Sequence, residues 1–198
     1  MSIVSVMAEM TDRAERLDDL PEAIEAFVLQ WGDLGGQWGV NRSIAQIHAY
    51  LYLQDEPVTA ERIAGVFGMA RSNVSNSLRE LLSWNLVRRV PVRGDRRDHF
   101  VAETDVWEIA ARIAAGRKAR EIDPALAALR DADARAEGDG RVGAVQRERI
   151  AAMRRFTEEA DRFYGQMLAL PKGQCAALMR MGGRLASLLP KGWNDAGG

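Results

Sequence analysis

The side chains whose types and spacing predict chemistry lie on one short helix. Its apolar residues repeat at the spacing of one helical face: Val74, Leu78, Leu81 and Leu82. The other side carries Ser72, Asn73, Asn76, Arg79 and Glu80, with Ser75 beside them, and Arg71 at the start of the helix is a further candidate for contacting DNA. Asparagine pairs with adenine, arginine with guanine and serine with either base. The pattern predicts a helix that reads base edges in the major groove of DNA. The alternative is an amphipathic helix whose polar face is only solvated.

A ribbon with a basic tip follows this helix. Two β-prone runs, Leu86–Val90 and His99–Ala102, flank a tip that reads Arg93-Gly94-Asp95-Arg96-Arg97, in which the glycine supplies the turn. We expect Arg93, Arg96 and Arg97 to enter or flank the minor groove. We expect Asp95 to pair with Arg97 or Arg96 and to aim the other guanidinium at DNA; the alternative is a solvated loop charge. Arg88 and Arg89 are predicted to contact phosphates or to support the ribbon.

The positive charge of the chain is concentrated in this stretch. From Arg71 to Arg97 there are seven arginines and two acidic residues, a net charge of +5, whereas the whole chain carries −1. Local basic charge of this kind is typical of a DNA-reading module. A helix over Ile63–Phe67, with Thr59 as its N-cap and Gly68 at its end, precedes the reading helix. Two helices followed by a ribbon predict a winged helix-turn-helix.

Several short motifs strengthen this interpretation: Trp38-Gly39 with Asn41-Arg42, Asn73-Val74-Ser75, Trp84-Asn85-Leu86-Val87-Arg88, Gly94-Asp95-Arg96-Arg97, and Asp105 with Trp107. With them, the stretch from about Trp31 to Pro124 resembles the GbsR/MarR-type transcriptional regulators. The resemblance implies a homodimeric regulator that binds double-stranded DNA, with repression as the default. Ala70 departs from the usual serine N-cap, and Asn85 replaces a usual glycine, although asparagine tolerates the left-handed conformation.

The flanking segments read as helices. Ile3, Met7, Met10, Ala14 and Leu17 form a short stripe suited to a dimer arm; the alternative is a frayed terminus. A helix from Pro21 to Trp31 should give way to a loop, because Gly32, Gly35, Gly36 and Gly39 follow closely. The next helix runs from Val40 to about Gln54.

After the ribbon, Asp105 should cap a helix that ends near Ile122, and Asp123-Pro124 should begin another that ends near Glu137. A long helix then carries a stripe at three- and four-residue steps: Met153, Phe156, Ala160, Phe163, Met167 and Leu170. Such a stripe should pack along a partner helix. A last helix runs from Gln174 to about Leu189. We therefore predict a mainly α chain, with N-terminal helices over 1–39, the winged helix-turn-helix over 40–104 and a helical dimerisation region over 105–198.

Composition argues against several other classes. No run approaches the roughly 20 apolar residues that span a bilayer, and the first residues lack the features of a signal peptide. The single cysteine, Cys175, fits a reducing cytoplasm. His48 and His99 lack partners at ligand spacing, so we expect no metal, no cofactor and no enzyme. The rival function is a protein-interaction module whose helix-turn-helix no longer reads DNA, although its arginines would then be unneeded.

Two further groups of residues leave alternatives open. Trp31, Trp38 and Trp107 could wall a site for a small-molecule effector, since aromatic cages suit quaternary ammonium groups; the alternative is that they are plain core. The resemblance supports such a site, because some relatives respond to choline-type solutes. His48 is expected to be a buried structural histidine rather than a ligand or a proton switch. A redox role for Cys175 lacks a resolving cysteine.

Overall fold

The structure, a computed structural model, describes residues 16–186, with side chains described up to Met181. A 3₁₀ turn at Leu17–Asp19 precedes eight helices within this range: α1 (Glu22–Gln37), α2 (Arg42–Tyr52), α3 (Ala60–Phe67), α4 (Arg71–Ser83), α5 (Val106–Arg117), α6 (Asp123–Gly138), α7 (Ala144–Ala169) and α8 (Lys172–Ala186). Three strands complete it: β1 (Val58–Thr59), β2 (Val87–Val92) and β3 (Asp95–Ala102). The chain divides into two compact units, one ending at Arg112 and one beginning at Ile113.

The core of the first unit is built around α2, which packs on α1, α4 and β3. Ile47, Tyr50 and Leu51 on this helix are at most 2% exposed. The Tyr50 ring meets Phe67 of α3 edge-on, with 5.7 Å between the ring centroids. Asn41 caps the helix by accepting from the Ser43 N–H at 2.9 Å. The reading helix is therefore supported from behind by a closed apolar layer.

The prediction of a glycine loop after Trp31 is wrong for Gly32, Gly35 and Gly36, because α1 continues through them to Gln37, and only Gly39 lies in the turn beyond the helix. Packing against α2 explains the difference. A Cβ atom on Gly32 would lie 2.5 Å from Gln46 Cγ, and one on Gly35 would lie 2.5 Å from Ala45 Cβ. Glycine weakens a helix by about 1 kcal/mol, but here it lets two helices approach more closely than any side chain would permit.

The helix-turn-helix matches the sequence prediction closely. Thr59 caps α3 by accepting from the Arg62 N–H at 3.2 Å, and Gly68 ends it in the left-handed region with φ 58°. Helix α4 begins at Arg71 without a side-chain cap from Ala70. Asn85, two residues beyond the end of α4, adopts φ 56°, so it takes the conformation expected of the usual glycine.

The ribbon forms part of a three-stranded antiparallel sheet in the order β1-β3-β2. Strand β1 was not predicted, because two residues are too short to show an alternating pattern; Val58 pairs with Phe100 and Thr59 with His99. The turn is also tighter than expected. Both strands extend to Arg93-Gly94, where Gly94 has φ 87°. The wing, which we define as Val87–Ala102, thus presents its arginines from strands and a two-residue turn.

The helix that follows the wing begins as predicted, and the next helix begins at the predicted residue. The Asp105 carboxylate accepts from the N–H groups of Trp107 at 2.9 Å and Glu108 at 3.1 Å, which caps α5. A π-helical segment, Lys118–Ile122, then joins α5 directly to α6. Helix α6 begins at Asp123, as predicted, but the Asp123 carboxylate does not cap it and instead accepts from Lys118 Nζ at 2.5 Å. Pro124 lies in the first turn of α6, a position at which proline is common.

In the second unit, α6 packs against α7. Ion pairs stabilise this contact: Arg154 Nε lies 2.6 Å from Asp133 Oδ2, and Arg130 Nε lies 2.9 Å from Glu158 Oε1. The break between the helices falls after Gly138, as predicted. Helix α7 leaves part of its apolar stripe in solvent, since Phe156 is 68% exposed. The predicted N-terminal stripe lies outside the described residues except for Leu17. No helix between residues 16 and 186 has the length and apolarity to cross a membrane.

Candidate nucleic-acid interface

Helix α4 has one face buried against the core and another exposed to solvent. Val74, Leu78 and Leu81 are at most 2% exposed and fix the helix to the core. Ser77, a polar residue on this side, is also buried. All six predicted DNA-contacting residues are exposed. Arg71 lies at the start of the helix, and the other five form what we call the reading face: Ser72, Asn73, Ser75, Asn76 and Arg79. The residue types expected to contact base edges therefore share one solvent-facing surface.

Two residues of the reading face are joined to each other. Arg79 Nη1 donates to Asn76 Oδ1 at 3.1 Å. The two positions are three residues apart and so lie on the same side of the helix. Among the described residues, Arg79 forms no ion pair with an acidic side chain. Sequence reasoning placed both residues on this face but did not foresee the hydrogen bond between them.

At the wing tip, Asp95 selects Arg97 as its partner. The Asp95 carboxylate accepts from the Arg97 backbone N–H at 3.0 Å and from Arg97 Nε at 2.9 Å. The Arg97 guanidinium holds the pKa of Asp95 well below its usual range, chiefly through these side-chain hydrogen bonds. Arg93 and Arg96 are exposed, and neither has an acidic partner within residues 16–186. The structure therefore supports the paired alternative for Asp95, with Arg97 as the partner.

His99 supports the wing tip from inside. Its side chain is only 7% exposed, and its Nδ1 lies 2.9 Å from the Arg97 carbonyl oxygen. Because a carbonyl can only accept, Nδ1 carries the proton. Nε2 then faces Asp95 Oδ2 at 3.4 Å. The place of His99 in the second strand of the wing could be predicted from the sequence, but its burial and its contact with the Arg97 carbonyl could not.

The remaining arginines of the wing divide between scaffold and surface. Arg89 Nη1 lies 3.5 Å from Asp98 Oδ2, and its guanidinium lies 5.9 Å from the centroid of the Phe100 ring. These contacts match the scaffolding role among the two that the sequence allowed. Arg88 is exposed in the same strand.

Arg112 was missed by sequence reasoning, yet it connects three parts of the first unit. Its guanidinium pairs with Glu103 just after the wing, at 2.9 Å, and with Glu108 in α5, also at 2.9 Å. It also donates to the carbonyl oxygen of Asn85, in the turn between α4 and the wing. An arginine at i+4 from Glu108 was a readable helix signal. The long-range contact to Asn85 was not.

The three tryptophans predicted to wall an effector site differ in environment. Trp31 stacks on Phe27, with 5.8 Å between centroids. Trp38 follows the last residue of α1 and is 63% exposed, and Trp107 in the first turn of α5 is 38% exposed. Their role in binding an effector stays a prediction.

The two residues considered for switching also have defined surroundings. His48 is buried as expected, and burial lowers its pKa from 6.5 to about 4. Its Nε2 has no hydrogen-bond partner in the described part of the chain. Cys175 is half-buried near the carbonyl groups of Met167 and Leu170. No three His, Cys, Asp or Glu side chains within the described ranges are grouped to hold a metal ion.

Comparison with known proteins shows that this geometry is similar to that of a known family. Residues 38–98, which run from the end of α1 through the wing, match the model of the MarR family. These residues form a winged helix-turn-helix that is similar to the MarR family. The matched residues include the whole of α4 and the tip of the wing. The resemblance to the MarR family and the expected mainly α fold with a winged helix-turn-helix are thereby confirmed.

Relatives of the MarR-type domain are known from Bacillus subtilis (strain 168). The HTH-type transcriptional repressor GbsR is 26% identical over 97 residues, which cover 49% of this chain and 53% of GbsR. The HTH-type transcriptional repressor OpcR is 22% identical over 92 residues, covering 46% of this chain and 50% of OpcR. This chain thus spans about half the length of each relative.

A solved structure extends the likeness in fold. It is described as the crystal structure of a transcriptional regulator, and it aligns with a TM-score of 0.57 at 21% identity. The alignment covers 74% of this chain and 95% of that chain. At this identity the likeness concerns the fold, and the roles of the individual reading-face and wing residues stay predictions.

Proposed function

We propose that this chain is a sequence-specific DNA-binding transcriptional regulator, which acts as a homodimer on a pseudo-palindromic operator and by default represses. One observation carries the proposal. The reading face of α4 is solvent-facing and held by a buried apolar stripe. It lies in the same MarR-type domain as Arg93 and Arg96, which have no acidic partner among the described residues. The relatives described as transcriptional repressors support the same conclusion.

The two parts of the domain have different tasks in this proposal. Helix α4 enters the major groove, which is about 12 Å wide and admits one helix. Its Ser72, Asn73, Ser75, Asn76 and Arg79 side chains contact base edges, and Arg71 at its start contacts the nearby backbone. Arg93 and Arg96 at the wing contact the minor groove or its phosphates. Arg97 orders the tip through Asp95 and adds its charge there.

The homodimer is supported by the apolar stripe of α7. Met153, Phe156 and Phe163 are 56%, 68% and 64% exposed. Burying one such side chain contributes about 1.5–3 kcal/mol. Two chains joined through this stripe would present two copies of α4. Their half-sites should then lie about 34 Å apart, one turn of DNA.

The proposal is tested by fluorescence anisotropy of the purified chain with a labelled fragment from upstream of its own gene. The titrations are made at two salt concentrations, with unlabelled specific or scrambled DNA as competitor. They distinguish sequence-specific binding from nonspecific electrostatic binding. We expect binding that survives the scrambled competitor and weakens steeply with salt. Binding abolished by scrambled DNA would leave only a basic surface. No binding at low salt would favour the protein-interaction module.

The wing offers a matched pair of variants for the same assay. Replacing Arg96 with alanine removes a guanidinium without an acidic partner, so the salt slope should fall by about one. Arg97→Ala removes a guanidinium that Asp95 already neutralises, so the slope should fall less. Equal reductions in the two variants would contradict this division between a contacting and a supporting arginine.

A further inference from the structure

The hydrogen bond between Asn76 and Arg79 determines which atoms the reading face offers. An amide side chain has one accepting oxygen and one donating nitrogen, whereas a guanidinium only donates. In this structure Arg79 Nη1 donates to Asn76 Oδ1 at 3.1 Å. The amide oxygen is thereby turned toward the arginine, and the Nδ2 group and the remaining guanidinium N–H groups are left to face a partner.

This arrangement conflicts with the usual pairing of asparagine with adenine. That pairing needs Oδ1 to accept from the adenine amino group while Nδ2 donates to N7. A second lone pair remains on Oδ1. However, an amino group that approaches it also meets the donating, positively charged guanidinium of Arg79. Donor then faces donor, so adenine loses one of its two hydrogen bonds unless Arg79 moves away.

Guanine and thymine fit the same surface without rearrangement. In the major groove guanine offers two acceptors, N7 and O6, and thymine offers the acceptor O4. Three helical residues advance about 4.5 Å along the axis, close to the roughly 3.4 Å between successive bases of one strand. The two side chains can therefore cover adjacent base pairs.

We propose that Asn76 and Arg79 act as one hydrogen-bonded unit that presents donors only, and that it selects guanine or thymine rather than adenine at the base pairs it contacts. The inference rests on the proposed function, because it concerns how the same helix chooses its operator. It assigns to Arg79 a second task, that of positioning the Asn76 amide.

Selection from a randomised double-stranded DNA library tests the proposal. The full chain, Asn76→Ala, Arg79→Ala and Arg71→Ala are each carried through the same selection. The position read by Asn76 is the one whose preference disappears in Asn76→Ala. In the unmodified chain we expect guanine or thymine there. In Arg79→Ala the amide oxygen is released, and adenine should gain on the order of tenfold at that position, the lower part of the range for one bidentate pair.

Arg71→Ala is the control for loss of charge. Arg71 is an exposed arginine on the same helix, so its removal should lower affinity without changing the base chosen by Asn76. Thermal unfolding of each variant checks that the exposed substitutions leave the domain folded.

The outcomes separate this inference from the proposed function. If the unmodified chain enriches no sequence, the proposed function fails. If it enriches a defined operator but prefers adenine at the Asn76 position, or if Arg79→Ala leaves that preference unchanged, the paired-donor inference alone is overturned. It is also overturned if Asn76→Ala alters no position of an enriched operator.

Discussion

The two units of the chain differ in how far their apolar side chains are buried. In the unit that ends at Arg112, Ile47, Val74 and Leu81 are at most 2% exposed. In the unit that begins at Ile113, α7 leaves Met153 56% and Phe156 68% exposed. The first unit closes its core within one chain. The second presents the kind of helical stripe that is covered when two helices pair.

The difference follows from what each unit must do under the proposed function. A reading helix needs a rigid support, because side chains that recognise base edges depend on placement to within a fraction of an ångström. The Arg112 contacts to Glu103 and Glu108 add to this support around the wing. A dimerisation helix instead needs a free apolar surface. Substitutions in the buried core of the first unit should therefore lower folding stability. Substitutions on the exposed stripe of the second unit should weaken association between chains.

The largest effect on stability is expected from a substitution that leaves a cavity in the buried core of the first unit. Ile47→Ala removes three carbons from a side chain that is fully buried in α2, and changes of this kind cost about 2–5 kcal/mol. Urea denaturation should show this loss in the free energy of unfolding. Val106→Ala is the control, since Val106 is 62% exposed and should change stability little. Similar losses in both variants would contradict the assignment of the core to α2.

The closed core should also make folding sensitive to acid through His48. Burial lowers its pKa from 6.5 to about 4, so between these values the unfolded chain binds the proton more readily than the folded one. The contribution of neutral His48 is fully present above pH 6.5 and is lost as the pH falls to 4. Its size is about 3 kcal/mol.

Denaturation across this pH range checks the His48 prediction. His48→Gln removes the titrating group and should flatten the dependence of the unfolding free energy on pH. Ile47→Ala should lower the whole curve and leave its slope unchanged. A slope that persists in His48→Gln would mean that other groups cause the acid sensitivity.

In the second unit, Phe156→Asp should act on association rather than on folding. It places a charge in the middle of the exposed stripe of α7 and should weaken the homodimer by about 2 kcal/mol or more. Sedimentation over a range of concentrations should then show a larger share of monomer. Phe156→Leu, which keeps the site apolar, should retain the dimer. A single unchanged mass for the parent and both variants would contradict pairing through α7.

The first unit was also the easier one to predict from sequence, and the errors in that prediction have physical causes. The α4 pattern, the Thr59 and Asp105 caps and the Gly94 turn depend on neighbours in sequence, so they could be read directly. The course of α1 through its glycines depends on α2, which lies elsewhere in the chain. The choice of Arg97 over Arg96 by Asp95 depends on the strand geometry of the wing. In the second unit, the π-helical segment Lys118–Ile122 was not predicted, because no local signal in the sequence indicates it.

The smallest expected effects in the first unit concern two neighbouring glycines of α1. Replacing them with alanine should change folding stability in opposite directions. An added methyl on Gly35 would meet Ala45 Cβ at 2.5 Å, whereas one on Gly36 has no atom within 4 Å. Gly35→Ala must push α1 from α2 and should cost about 1–3 kcal/mol. Gly36→Ala only improves helix propensity and should stabilise by up to about 1 kcal/mol. Thermal unfolding of the two variants measures this difference. Stabilisation in both variants would mean that α1 does not depend on close packing at Gly35. Packing against α2 would then not explain why these glycines lie in a helix and not in the predicted loop.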